Sequence, residues 1–174
     1  MKKILVFSNV EQIGDGIIKL PFLYEIKSRF PSHHFIWATR GKTVYNNELK
    51  RISNQYIDEI YEMIPLSYLF FRKNYGNYNL TDEFDIIIDT QKVFIRTLCL
   101  NMLKSNIFIS STANWLFSKK KPEIKLTNKT FYLDNLYSML NLVSHKNNEN
   151  KFDFNFPPKL LNKVDSLFDK KKKY

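Results

Sequence analysis

Asp15 stands between Gly14 and Gly16 in "IGDGIIKLP", a few residues after the apolar run "ILVFS" that ends at Ser8. The chain has only four glycines in 174 residues, so two around one carboxylate mark a place where the backbone is expected to turn tightly. A strand, a glycine turn and a helix together make the point at which open parallel sheets bind ligands, because backbone N–H groups and the positive end of the helix dipole face the crevice. A carboxylate placed there stays ionised. It can take the proton of a substrate hydroxyl late in an attack, as a weak general base. Aspartate is equally a favoured helix N-cap, and the two roles are compatible.

Other chemistries lack their residues. The dinucleotide fingerprint G-x-G-x-x-G needs a third glycine or alanine where Lys19 stands, and "WATRG" after the second strand carries no acid for a ribose. No G-x-x-x-x-G-K-[ST] phosphate loop occurs. His33 and His34 have no Cys or acidic cluster at ligand spacing, so neither a metal site nor a cofactor is expected. Trp37 and Trp115 read as core or loop anchors.

The elements that would position Asp15 follow from the rhythm of the chain. Short apolar runs rich in branched residues alternate with segments of helical period, the pattern of an α/β protein with a parallel sheet and crossover helices. Strands are expected at Lys3–Ser8, His33–Thr39, Tyr56–Met63, Phe84–Thr90 and Asn106–Ser111. The fourth, "FDIIIDT", is apolar enough to be buried on both faces. From about Gly16 to Phe30 the ladder Ile18, Phe22, Ile26 and Phe30, flanked by Leu23, predicts a helix. Pro21 falls near its first turns, where it bends the helix or delays its start, and Pro31 ends it. Further helices are expected in "TVYNNELKRIS", "KVFIRTLCLNMLK", Phe131–Val143 and the proline-led Pro157–Phe168. Residues 66–80 read as a loop or irregular helix, "TANWLFSKKKP" as looser chain, and Asn147–Asn150 as a linker.

Composition sets the class. At 44% hydrophobic and 25% charged residues the chain can bury the core of one ordinary domain. Its 27 Lys and Arg against 17 Asp and Glu give +10, which calls for an acidic partner: nucleic acid, an anionic membrane surface, or a phosphorylated or carboxylated ligand. The single cysteine, Cys99, lies in an apolar stretch and reads as a buried thiol of a reducing compartment, taken as the cytoplasm. "MKK" followed by "ILVF" is too short for a signal-peptide core, and no run approaches the ~18 apolar residues of a membrane span.

"KILVFSNVEQIGDGIIKLPFLYEIKSRFPSHHFIWAT" resembles the opening of the heptosyltransferases, glycosyltransferase family nine: a strand, a Gly-Asp turn, a helix with a Leu-Pro step, an "FP" break and a second strand. "YIDEIYEM" is similar to that family's third strand, and "FDIIIDTQ" with "IRTLCLNMLKSNIFIS" to its next strand, helix and strand. The resemblance runs from Lys2 to about Ser111, and more loosely to Val143. It implies a Rossmann-like domain with a mostly parallel sheet and helices on both faces, the N-terminal half of a GT-B glycosyltransferase. Residues 1–145 would be the acceptor-binding domain. Residues 146–174 would be a linker, helix and basic tail leading toward a C-terminal donor domain that this chain lacks. The resemblance implies that Asp15 is the general base of an inverting transfer. Gly14 and Gly16 would let the acceptor sugar approach, and Lys19, Arg40, Arg96, Lys119 and Lys120 would face an acidic lipopolysaccharide-core acceptor. Its nucleotide-sugar donor would come through a missing domain or partner chain, at the cytoplasmic face of the inner membrane, and no nucleic acid is expected. Alternatives from other classes are a basic module for nucleic acid or anionic membrane, and an inactive fragment.

Overall fold

The computed structural model describes residues 1–66, 80, 82–122 and 132–144. Most of the 66–80 segment, the linker at Asn147–Asn150, the proline-led helix, the basic tail and the 145/146 boundary lie outside the described residues. Five strands, β1 (Lys3–Ser8), β2 (His34–Thr39), β3 (Glu59–Tyr61), β4 (Phe84–Asp89) and β5 (Ser105–Ser110), form one sheet in the order β3-β2-β1-β4-β5. Every pairing is parallel. Because β1 is followed by β2 on one side and flanked by β4 on the other, the crossover direction reverses between β1 and β4, the switch point at which such sheets open a crevice.

The central strands β1, β2 and β4 are apolar on both faces because helices cover both. Ile4, Val6, Trp37, Ile86 and Ile88 pack under α1 (Ile13–Arg29) and α4 (Tyr132–Val143) in one core. Leu5, Phe7, Ile36, Ile87 and Phe108 form the second core with Cys99 and Leu100 of α3 (Phe94–Asn101). The expected helix "TVYNNELKRIS" is instead a 3₁₀ turn at Val44–Asn46 and one short helix, α2 (Lys50–Ser53). The third strand is shorter than its alternating pattern suggested. "TANWLF" loosens for a physical reason: Ala113, Asn114 and Trp115 all take left-handed backbone, with φ of 50°, 55° and 67°. Such geometry costs about 1–2 kcal/mol per non-glycine residue. Burial of Trp115 and the Ser118 hydroxyl, which donates to Ser110 O at 2.6 Å, hold the turn against that cost. Among the described residues no helix is long and apolar enough to cross a membrane.

The first helix departs most from expectation. It starts at Ile13, so Gly14, Asp15 and Gly16 are its first turn rather than a turn before it, and the N-cap is Gln12, not Asp15. The buried face is Gly16, Lys19, Leu20, Phe22, Leu23, Glu25 and Ile26, while Ile18 of the expected ladder is 52% exposed. The helix runs through Pro21. A mid-helix proline costs ~3 kcal/mol, but Leu20, Phe22, Leu23 and Ile26 are fully buried at roughly 1.5–3 kcal/mol each. Burial wins.

The two glycines are therefore needed differently. A Cβ at Gly16 would lie 2.5 Å from Val44 Cγ2 and 2.8 Å from Leu49 Cδ1, so this glycine lets α1 press against the 3₁₀ turn. A Cβ at Gly14 would meet nothing within 4 Å. Urea unfolding should then show Gly16→Ala destabilised by about 1–3 kcal/mol through overpacking, and Gly14→Ala unchanged or stabilised by up to about 1 kcal/mol. Equal losses in both would refute the packing account.

Candidate functional site

Where the strands end at their carboxyl edge, the apolar run gives way to polar residues that are nevertheless buried: Ser8, Thr39, Asp89 and Ser110. The register sets Ser8 beside Thr39 and Asp89 beside Ser110. Between β1 and β4 opens a cleft of about 320 Å³. One wall carries Ser8, Asn9, Asp15 and Lys19, the other Thr90, Gln91 and Lys92, and Tyr132 of α4 lies at its side.

Lys19 anchors the first wall. Its ammonium is buried and donates to Ser8 Oγ at 2.8 Å and to Glu11 Oε1 at 3.1 Å. It also lies 5.8 Å from the Trp37 ring centroid and 5.7 Å from that of Tyr132. The second Glu11 oxygen accepts from Thr43 Oγ1 at 2.8 Å, and the Tyr45 hydroxyl donates to Gly16 O at 2.8 Å. Burial, with Glu11 nearby, pushes that phenol far above its usual range. Asp15, one turn before Lys19, sits on the cleft wall in the first turn of α1. The first N–H groups of a helix have no partner within it, and the Gln12 side chain supplies no cap.

Asp89 anchors the second wall. It is fully buried, and its Oδ1 accepts from the Gln91 backbone N–H at 3.0 Å. Its Oδ2 meets Thr97 Oγ1 at 2.5 Å and accepts from Ser110 Oγ at 2.9 Å. Thr97 Oγ1 also meets Thr112 Oγ1 at 2.8 Å, and Thr112 Oγ1 meets Gln91 O at 3.0 Å. The path Asp89–Thr97–Thr112–Gln91 thus has three contacts but only two hydroxyl protons, so all three can be hydrogen bonds only while Asp89 is protonated. Desolvation raises its pKa to about 6, against the pull of the Thr97, Gln91 and Ser110 hydrogen bonds and the Arg96 charge.

The residues singled out in the sequence scatter. Gly14, Asp15 and Lys19 lie at the start of α1, with Asp15 and Lys19 in the cleft. Gly16 faces the 3₁₀ turn, so it is not open to a sugar. Lys19 is consumed by Ser8 and Glu11 instead of forming part of an exposed basic face. Arg40 is exposed just after β2, outside the cleft lining. Arg96, on α3, donates to Gln91 Oε1 at 2.8 Å and to Asn9 Oδ1 at 3.3 Å. Lys119 donates to the carbonyls of Ser105 and Asn106, at the amino end of β5 and thus the opposite edge of the sheet, and Lys120 is the exposed residue beside it. Glu11, Asp89 and Gln91 were not singled out as site residues. For the last two the signal was the polar "DTQ" closing an apolar strand.

A raised native pKa means that Asp89's stabilising contribution is fully present below the unfolded value of 3.8 and is lost as pH rises through about 6. Asn imitates the neutral acid. Asp89→Asn should gain on the wild type as pH rises from ~4 to ~7, by on the order of 3 kcal/mol, in chemical denaturation series across pH. Parallel profiles would show that Asp89 folds ionised.

No family model and no curated protein matches the sequence. Solved structures do match. "E. coli heptosyltransferase WaaC with ADP" aligns at a TM-score of 0.61 and 14% identity, covering 92% of this chain and 53% of that one. A family 9 glycosyl transferase from Veillonella parvula aligns at 0.61 and 15%, covering 97% and 49%. The same E. coli enzyme with ADP-2-deoxy-2-fluoro heptose gives 0.57 and 13%, covering 88% and 52%. The chain spans about half the length of these glycosyltransferases and shares with them a Rossmann-like fold built on an all-parallel sheet.

Proposed function

We propose that this chain is the acceptor-binding half of a glycosyltransferase, and that Asp15 is its general base. The observation that carries the reading is Asp15 on the wall of a cleft at the β1/β4 switch point, in the first turn of α1. The acceptor is a sugar of the lipopolysaccharide inner core, on its lipid anchor at the cytoplasmic face of the inner membrane. Asp15 takes the proton of the acceptor hydroxyl as its oxygen attacks the anomeric carbon of a nucleotide sugar. The nucleoside diphosphate leaves from the opposite face, and the anomeric configuration inverts.

The donor is held by the rest of a longer protein or by a partner chain. Matched glycosyltransferases bound to ADP and to an ADP-sugar support that donor class. Val10, Ile13, Phe94 and Ile95 are exposed where α1 and α3 begin, beside the cleft, and are the surface that a donor half would cover.

Calorimetry with a delipidated inner-core oligosaccharide, at low and moderate salt, tests the acceptor site. Saturable binding should survive the salt and persist in Asp15→Asn with altered affinity. Transfer, with the donor half present, should fall by about 10²–10⁴ in the same variant. Binding that salt abolishes equally in both proteins would defeat the reading and point to a polyanion-binding module.

A further inference from the structure

Gln91 is held at three points beside the cleft. Its backbone N–H donates to Asp89 Oδ1, its carbonyl accepts from Thr112 Oγ1, and its side-chain Oε1 accepts from Arg96 at 2.8 Å. A guanidinium only donates, so the oxygen of the amide must be the end that faces Arg96. The Nε2 end is then fixed by elimination. It is buried and has no hydrogen-bond partner among the described residues, although Gln91 is only 7% exposed and lines the cleft. A buried amide donor without a partner is destabilising, and native folds keep few of them.

Gln91 and Asp15 line the same cleft, and a small turn of the Gln91 side chain would bring its buried, unpartnered donor to a ligand opposite the Asp15 acceptor. A phosphate or other small oxyanion would satisfy Nε2 and the nearby Lys92 but would set its charge against Asp15. A sugar ring has no such conflict, because its hydroxyls both donate and accept. We propose that Gln91 Nε2 donates to an oxygen of the acceptor sugar and thereby selects which hydroxyl reaches Asp15. Gln91 is a specificity-determining residue, and Arg96 is a positioning residue that acts by holding the amide in one orientation. This inference rests on the acceptor-site reading above.

Gln91→Glu tests it with little change of shape. The carboxylate keeps an oxygen for Arg96, circular dichroism and a melting curve check that the fold is retained, and the unpartnered end changes from donor to acceptor. Calorimetry with the delipidated inner-core oligosaccharide should show affinity lower by at least about tenfold in Gln91→Glu. In the wild type the Gln91 side-chain amide cross-peak should move during an NMR titration with the same probe, and inorganic phosphate should not displace the sugar. Equal affinity of wild type and Gln91→Glu, or an unmoved amide cross-peak, would overturn the role of Gln91 and leave the Asp15 reading standing. Displacement by phosphate would overturn the assignment of a sugar to this contact. No binding by the wild type would overturn both readings.

Discussion

A buried ammonium cannot be left without partners, and Lys19 shows how much of this fold is arranged to avoid that. Its contacts reach the end of β1 through Ser8, the β1–α1 connection through Glu11, β2 through Trp37 and α4 through Tyr132. Glu11 extends the set to Thr43 before the 3₁₀ turn. Removing one partner of such a pair costs about 3–5 kcal/mol, because the other charge stays buried. The rotation of α1 about its axis is thereby fixed. Asp15 lies one turn earlier at i−4, on the same side of the helix, so the anchorage of Lys19 determines that Asp15 faces the cleft.

The second wall is built by an independent device. The pairing of Phe7 with Asp89 brings β1 and β4 to their ends in register. There Thr90 donates to Phe7 O from its N–H at 3.0 Å and from its hydroxyl at 2.9 Å, the last tie before the chains part toward helices on opposite faces. Asp89, directed to the α3 side, gathers Gln91, Thr97 and Ser110 and holds the turn that presents Thr90 and Gln91. One wall is thus fixed by a buried charge pair and the other by a buried acid.

The strands were legible because burial on both faces leaves unbroken apolar runs, as in "FDIIID" and "HFIWAT". The start of α1 was not, because two glycines in "GDG" look like a turn when they are read without the 3₁₀ turn that packs on Gly16. Ile18, placed in the expected buried ladder, compounded the error because it is exposed. Lys19 reads as a surface cation in any linear scan, since the residues that bury it come from β2 and α4. The Asp89 set was hidden for the same reason: Thr97, Ser110 and Thr112 are spread along the chain and converge only when β5 pairs with β4. The position of Asp15 at the cleft was legible because it depends on the strand and helix immediately around it.

Net charge is the feature whose meaning changes most between sequence and structure. A charge of +10 suggests a basic face, yet the candidate cations do not share one. Lys19 is buried against Glu11, Arg96 is spent on Gln91 and Asn9, and Lys119 caps carbonyls at the far edge of the sheet. A groove that tracks a phosphate backbone needs its cations exposed along one path, and these three are neither exposed to a common surface nor on one side of the sheet. What does converge is a carboxylate and an amide across a cleft of about 320 Å³. On the reading proposed above, that pair would offer one acceptor and one donor to a ligand between them, a pattern that hydroxyl groups answer.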